Sequence, residues 1–264
     1  MRASWPSTAR DRLARAGARA LDLLYPPRCV FCDALIPPAR ADGLICAACR
    51  DRLVFAASPL CPRCGQPAGP SATSDRLCPR CRNERRYFRQ ARSILRYEEG
   101  VDRLVLDFKF RDHTHLRRFF GGLLREHFPF SDARYDRVVA VPLHPDRLRW
   151  RGYNQSLLLA REVASHLDLP VETTGFLRVK NTRPQVGLRG IERRTNVRGA
   201  FRAERRAEWD GARLLLVDDV FTSGSTASEC AKVLRAAGVT VVDVLTLARA
   251  VPRREEGRRP DLFE

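Results

Sequence analysis

Asp218 and Asp219 stand side by side at the end of the aliphatic run 214-LLLV-217. Two residues later comes a loop of hydroxyls around one glycine, Thr222-Ser223-Gly224-Ser225-Thr226. Adjacent acids cannot hold a phosphate, but they can accept hydrogen bonds from vicinal sugar hydroxyls or hold a divalent cation. Hydroxyls and backbone N–H groups opening a helix do bind phosphate, and a glycine lets the backbone come close. Side by side, the two features describe a pocket for a ribose 5-phosphate. The plainer alternative is a strand-turn-helix with Ser or Thr as a cap, which does not call for paired acids ahead of the loop.

A second chemistry sits upstream. Eight of the nine cysteines form four CxxC knuckles: Cys29/Cys32, Cys46/Cys49, Cys61/Cys64 and Cys78/Cys81. Thirteen residues separate the first knuckle from the second and the third from the fourth, so one CxxC-x13-CxxC unit occurs twice. Two residues between thiolates let both reach one tetrahedral ion, which predicts two structural Zn²⁺. A disulfide framework would need an oxidising compartment, and nothing here suggests export. Sequential sites, 29/32/46/49 and 61/64/78/81, follow the repeat; an interleaved pairing would use the same eight ligands. A segment so rich in Pro, Gly and Arg cannot fill a core alone, so the metals would supply its folding energy.

These groups need elements to position them. Apolar periodicity predicts strands at 91–100, 138–143, weakly at 169–172, at 213–219 and at 239–249, with helices at 101–110, 115–128, 153–167 and 225–238. Short apolar strands alternating with helices imply an α/β fold, a parallel sheet flanked by helices. The strand 214–217 should end at the two acids, placing them at the carboxyl edge of the sheet, where such folds bind ligands. Residues 178–201 read as a polar, arginine-dense segment. Residues 1–27 read as an amphipathic helix, 28–89 as a double zinc ribbon, 90–250 as the sheet domain and 251–264 as a charged, disordered tail.

The net charge is +17, and only three of the 48 basic residues are lysine (Lys109, Lys180, Lys232). Such an excess predicts attraction to polyanions. Arg147, Arg149 and Arg151 beside Tyr153, and Arg178, Arg193 and Arg194, are candidates for nucleic acid or pyrophosphate. No apolar run approaches the roughly 20 residues of a membrane span. The N-terminal stretch lacks the continuous apolar core of a signal peptide, so a cytoplasmic protein is expected. His144 is the one histidine placed for a role, and Cys230 reads as a buried small side chain.

The stretch 214-LLLVDDVFTSGSTASE-229 resembles the phosphoribosyl pyrophosphate (PRPP) signature of type I phosphoribosyltransferases. The segments 141-VPLHPDRLRWRGYNQSLLLA-160 and 178-RVKNTRPQVGLRGIERRTNVRGAF-201, behind the CxxC knuckles, narrow the resemblance to the ComF family over residues 20 to 249. The resemblance implies a ribbon module ahead of a type I phosphoribosyltransferase-like domain. It implies that Asp218 and Asp219 meet the ribose hydroxyls or their Mg²⁺, and that residues 222–226 hold the 5′-phosphate. Val141-Pro142-Leu143 would lie under the pyrophosphate. Lys109 would assist there, although Asp112 stands where many members carry glycine. It further implies a role in natural transformation: single-stranded DNA as partner, and a DNA helicase among possible protein partners. The alternative is a working phosphoribosyltransferase acting on a base or amine, for which Phe221 is the nearest aromatic wall and no acceptor site is legible.

Overall fold

The computed structural model describes residues 26–37, 44–69, 73–98, 100–130, 134–182 and 190–251. The expected N-terminal helix, the tail and residues 183–189 of the arginine-dense segment fall outside them. The chain divides into two compact units, residues 1–53 and 54–264.

In the first unit the knuckles do the folding. Cys29, Cys49 and Ile36 form a small buried cluster with Phe31 and Ile45 against it. The short helix α1, Ala47–Asp51, starts from Cys46 and carries Cys49 on its inner side.

The second unit opens with the other pair of knuckles, the fourth of which sits on α2, Pro79–Asn83. Then follow β1 (Ala91–Arg96), α3 (Val101–Phe110), α4 (Leu116–Glu126), β2 (Arg137–Ala140), α5 (Pro145–Arg151), α6 (Gln155–Leu167) and β3 (Val171–Glu172). The chain continues through β4 (Phe176–Arg178), α7 (Gly190–Val197), β5 (Phe201–Ala203), β6 (Arg213–Phe221), α8 (Ser225–Ala236) and β7 (Val241–Arg249). The main sheet has the order β1-β7-β6-β2-β3 and every pairing is parallel. Leu214 and Leu216 of β6 pack with Cys230, Ala231 and Leu234 of α8. Their alternates Leu215 and Val217 are also fully buried, so both faces of the strand are covered.

Topology decides where a ligand can go. From β2 the chain crosses by α6 to β3 on one side, and from β6 it crosses by α8 to β7 on the other. Neighbouring strands whose crossovers leave in opposite directions open a crevice at their carboxyl ends. That crevice lies between β2 and β6.

Three local expectations are revised. β6 does not stop at the acids but runs on to Phe221, because β7 pairs with it as far as Phe221↔Arg249. On the β2 side, pairing ends at Ala140↔Val217, which still leaves the acids at an open edge. The stretch after Leu143 forms a helix, α5, which buries none of its residues and so has no apolar stripe to reveal it. The arginine-dense segment is flanked by an antiparallel pair, β4 with β5, too short for an alternating pattern to register.

Candidate functional site

Each carboxylate at the crevice is held by a different set of donors. Asp219 Oδ1 lies 2.9 Å from Lys109 Nζ of α3, and its Oδ2 accepts from Gln155 Nε2 at 2.7 Å. Asp218 Oδ1 accepts from Ser156 Oγ at 2.9 Å and from the Asp219 amide at 2.9 Å. Burial, and then the neighbouring Asp219, push the Asp218 carboxyl up to about 7, while Lys109 and Ser156 act against the rise. Near neutral pH Asp218 therefore still holds part of its proton, which a cation or a hydroxyl donor arriving there must displace.

Gln155 and Ser156 open α6, and their position is itself fixed. Asn154 caps that helix, its Oδ1 accepting from the amides of Ser156 at 3.0 Å and Leu157 at 3.4 Å. Its Nδ2 donates to the Val141 carbonyl at 3.1 Å, tying the helix start to the segment that leaves β2. Tyr153 OH donates to the Phe108 carbonyl of α3 at 2.5 Å. In the sequence, Asn154, Gln155 and Ser156 stand out only as part of the resemblance, with no role of their own. Their signal was an Asn at a helix start followed by two polar residues on a buried turn.

The loop after β6 returns to the same edge. Gly224 has φ +74°, and a Cβ there would come within 2.5 Å of Phe221 Cζ, so any side chain is strained and would have to displace that ring. Ser223 and Ser225 are buried with their hydroxyls 2.8 Å apart, while Thr222 and Thr226 are half-buried. Val141 is buried, and Pro142 and Leu143 are half-buried at the end of β2. Thus Asp218, Asp219, Lys109, residues 141–143 and residues 222–226 all belong to elements that meet at one crevice.

The four candidate arginines whose side chains are described are tied into the protein. Arg147 donates to the Thr182 carbonyl, Arg149 pairs with Asp146, and Arg151 Nη1 donates to Gln155 Oε1 at 2.5 Å. Arg178 is buried with its guanidinium 5.3 Å from the centre of the Phe201 ring. Burial and the nearby Arg147 lower its pKa. Arg193 and Arg194 lie on α7, whose side chains at these positions are outside the described structure. His144 accepts from the Asp146 amide at 3.3 Å and so caps α5. Cys230 is fully buried.

Phe221, the nearest candidate for an aromatic wall in the alternative reading, is covered by its own neighbours. It is 3% exposed, with the Arg249 guanidinium 4.6 Å from its ring centre and Phe88 at its edge. Arg249 in turn donates to the Cys64 carbonyl at 2.6 Å and lies 3.5 Å from the Cys64 sulfur. One buried arginine thus joins the second cysteine cluster to the hydroxyl-rich loop.

The eight knuckle cysteines form two groups, Cys29/Cys32/Cys46/Cys49 and Cys61/Cys64/Cys78/Cys81, with the sulfurs of each group within 4.8 Å of one another. Cys32 and Cys46 lie 3.7 Å apart, and Cys64 and Cys78 lie 3.6 Å apart. A tetrahedral Zn²⁺ with Zn–S near 2.3 Å requires sulfurs about 3.8 Å apart, so the donor set and its spacing fit zinc. The Cys78 amide donates to Cys61 Sγ at 3.3 Å, the kind of outer support that orients a ligand. A hydrogen bond with Cys81, outweighing burial, together with the Arg249 charge, draws the Cys64 thiol well below its ordinary range. Among the described residues no helix is long and apolar enough to cross a membrane.

Comparison with known proteins bears on both halves. Residues 20–87 match the double zinc ribbon domain and residues 154–263 the phosphoribosyl transferase domain. Competence protein F of Haemophilus influenzae is 33% identical over 227 residues, covering 78% of this chain and 96% of its own. DNA utilization protein YhgH of Salmonella typhi is 32% identical over 234 residues, 87% of this chain and 100% of its own. Competence protein ComFC of Bacillus subtilis is 29% identical over 217 residues, 80% of this chain and 86% of its own. With two cysteine clusters ahead of a parallel sheet and a relative matched along nearly its full length, this chain belongs to the competence protein F (ComF) family.

Proposed function

We propose that this protein binds PRPP with Mg²⁺ in the crevice between β2 and β6 and binds single-stranded DNA, acting in the uptake and processing of DNA during natural transformation. The observation that carries the reading is the paired Asp218 and Asp219 at the switch point, followed by a loop whose glycine, at φ +74°, strains any side chain put in its place. In this reading the acids take the ribose hydroxyls or the Mg²⁺, residues 222–226 take the 5′-phosphate, and residues 141–143 support the pyrophosphate. Lys109 is held by Asp219 in the described state, so it would exchange that carboxylate for the pyrophosphate when the ligand arrives. The names of the relatives, competence and DNA utilization, supply the biological setting. A cytoplasmic location, a helicase partner, and the division into residues 1–27, 28–89, 90–250 and 251–264 belong to the same proposal.

Steady transfer to a base is the weaker reading, since Phe221 is already covered by Arg249. Positioning an acceptor is worth several kcal/mol of barrier, and Phe221 was the nearest candidate for the aromatic wall that would do it. Calorimetry with PRPP, with and without Mg²⁺, tests the first reading. Binding is expected for the native chain and lost in Asp218→Ala/Asp219→Ala with the fold retained. An unchanged isotherm in that variant would refute the assignment, and multiple-turnover pyrophosphate release with any common base would establish the transferase.

A further inference from the structure

The crevice is not the only place on this domain shaped for a ligand. Trp150 is 73% exposed and Phe110 is 49% exposed, the one on α5 and the other at the end of α3. Their ring centres lie 6.3 Å apart at 54°, and the Arg151 guanidinium sits 4.7 Å from the Phe110 ring. With Tyr153, Arg111 and Asp112 they line an open groove of about 510 Å³. Leaving a tryptophan in water forgoes one of the largest burial gains a side chain can make. α5, which buries none of its residues, presents this tryptophan with the exposed Phe110 ring beside it.

We infer that this groove is a stacking site for the bases of single-stranded nucleic acid, with Trp150 and Phe110 as the platforms. The inference rests on the nucleic-acid part of the reading above and gives it an address. Flat rings accept any base on their π-faces, and neighbouring guanidinium groups follow the phosphates. Arg147, Arg149 and Arg151 lie on the same helix as Trp150, and Arg111 follows Phe110. Asp112 lines the groove, Asp107 pairs with Arg111 and Asp146 pairs with Arg149, so these acids moderate the positive field without removing it. The site therefore draws its affinity from stacking as well as from charge. A net charge of +17 supplies the long-range attraction.

The groove also borders the crevice. Arg151 donates to Gln155, whose amide holds Asp219, and Phe110 follows Lys109, which holds the same carboxylate. A strand stacked on Phe110 would lie on the residue next to Lys109, one of the proposed PRPP ligands.

Fluorescence anisotropy with a short labelled oligothymidylate tests the proposal on the full chain. Trp150→Ala is expected to weaken binding about tenfold or more, Trp150→Phe to restore most of it, and neither to alter the PRPP isotherm. Addition of the oligomer is expected to quench tryptophan emission in the native chain more than in Trp150→Phe, since Trp5 and Trp209 are common to both and Trp209 is fully buried and bonded to Glu172. If the native chain binds the oligomer and Trp150→Ala binds it equally well, the groove is not the site, although the nucleic-acid reading stands. If the native chain binds no single strand at all, both fall, while the PRPP reading is judged separately by its own calorimetry.

Discussion

Gly224→Ala is the sharpest perturbation that the crevice offers. The added methyl would lie 2.5 Å from Phe221 Cζ and 2.9 Å from Cε1, and φ there is +74°. An L-residue in the left-handed region costs about 1–2 kcal/mol, and overpacking a filled site costs about 1–3 kcal/mol more. Phe221 cannot easily yield, because Arg249 covers its face and Phe88 its edge. If the loop keeps its shape, the whole of about 2–5 kcal/mol appears as lost stability in urea unfolding. If the loop moves, the penalty appears as weaker PRPP binding, about tenfold for each 1.4 kcal/mol. A double-mutant cycle with Phe221→Ala separates the two strains. That substitution alone should cost about 3–5 kcal/mol through its cavity. Combined with Gly224→Ala it should fall short of additivity by the overpacking share, about 1–3 kcal/mol, leaving the backbone share in place. An additive cycle, or a Gly224→Ala variant matching the native chain in both unfolding and PRPP titration, would refute the close-packing argument.

Two further outcomes are expected. Elemental analysis should find two zinc ions per chain. Cys81→Ser should remove one and lower the unfolding midpoint of the sheet unit more than Cys49→Ser does, because Cys61, Cys64 and Cys81 share a core with Phe88, Val139 and Leu214 while Cys49 sits in a small separate cluster; equal effects would contradict this. The raised Asp218 carboxyl means that the folded state holds its proton more tightly than the unfolded chain does, so its contribution to stability is complete below the ordinary carboxylate range near 3.8 and is lost as pH rises through about 7. Ligand binding to the carboxylate form should strengthen over the same upper range and release a proton, seen as a buffer-dependent heat of PRPP binding near neutral pH; no such dependence would argue against a raised Asp218.

The sequence alone was enough for whatever depends on local spacing. The knuckles announced their metal because two residues between thiolates set how far apart the sulfurs can lie, and the repeat correctly indicated sequential grouping. Paired acids after 214-LLLV-217 and a glycine in a hydroxyl-rich loop were legible because strand, turn and helix follow one another along the chain. Alternating apolar strands and helices were likewise enough to name the parallel sheet. What remained hidden depends on contacts between distant residues. Gln155 and Ser156 are ordinary polar residues until the fold brings α6 against β6, 64 and 62 positions away in sequence, where they hold the two acids. Phe221 looked like a free aromatic wall until Arg249 was found on its face, itself anchored to Cys64. The four described candidate arginines carried the same ambiguity, because charge pattern cannot say which guanidinium is already bonded to a neighbour. Trp150 is the converse case: hydrophobicity predicts burial, and only the tertiary structure, by burying no residue of α5, leaves its ring in solvent.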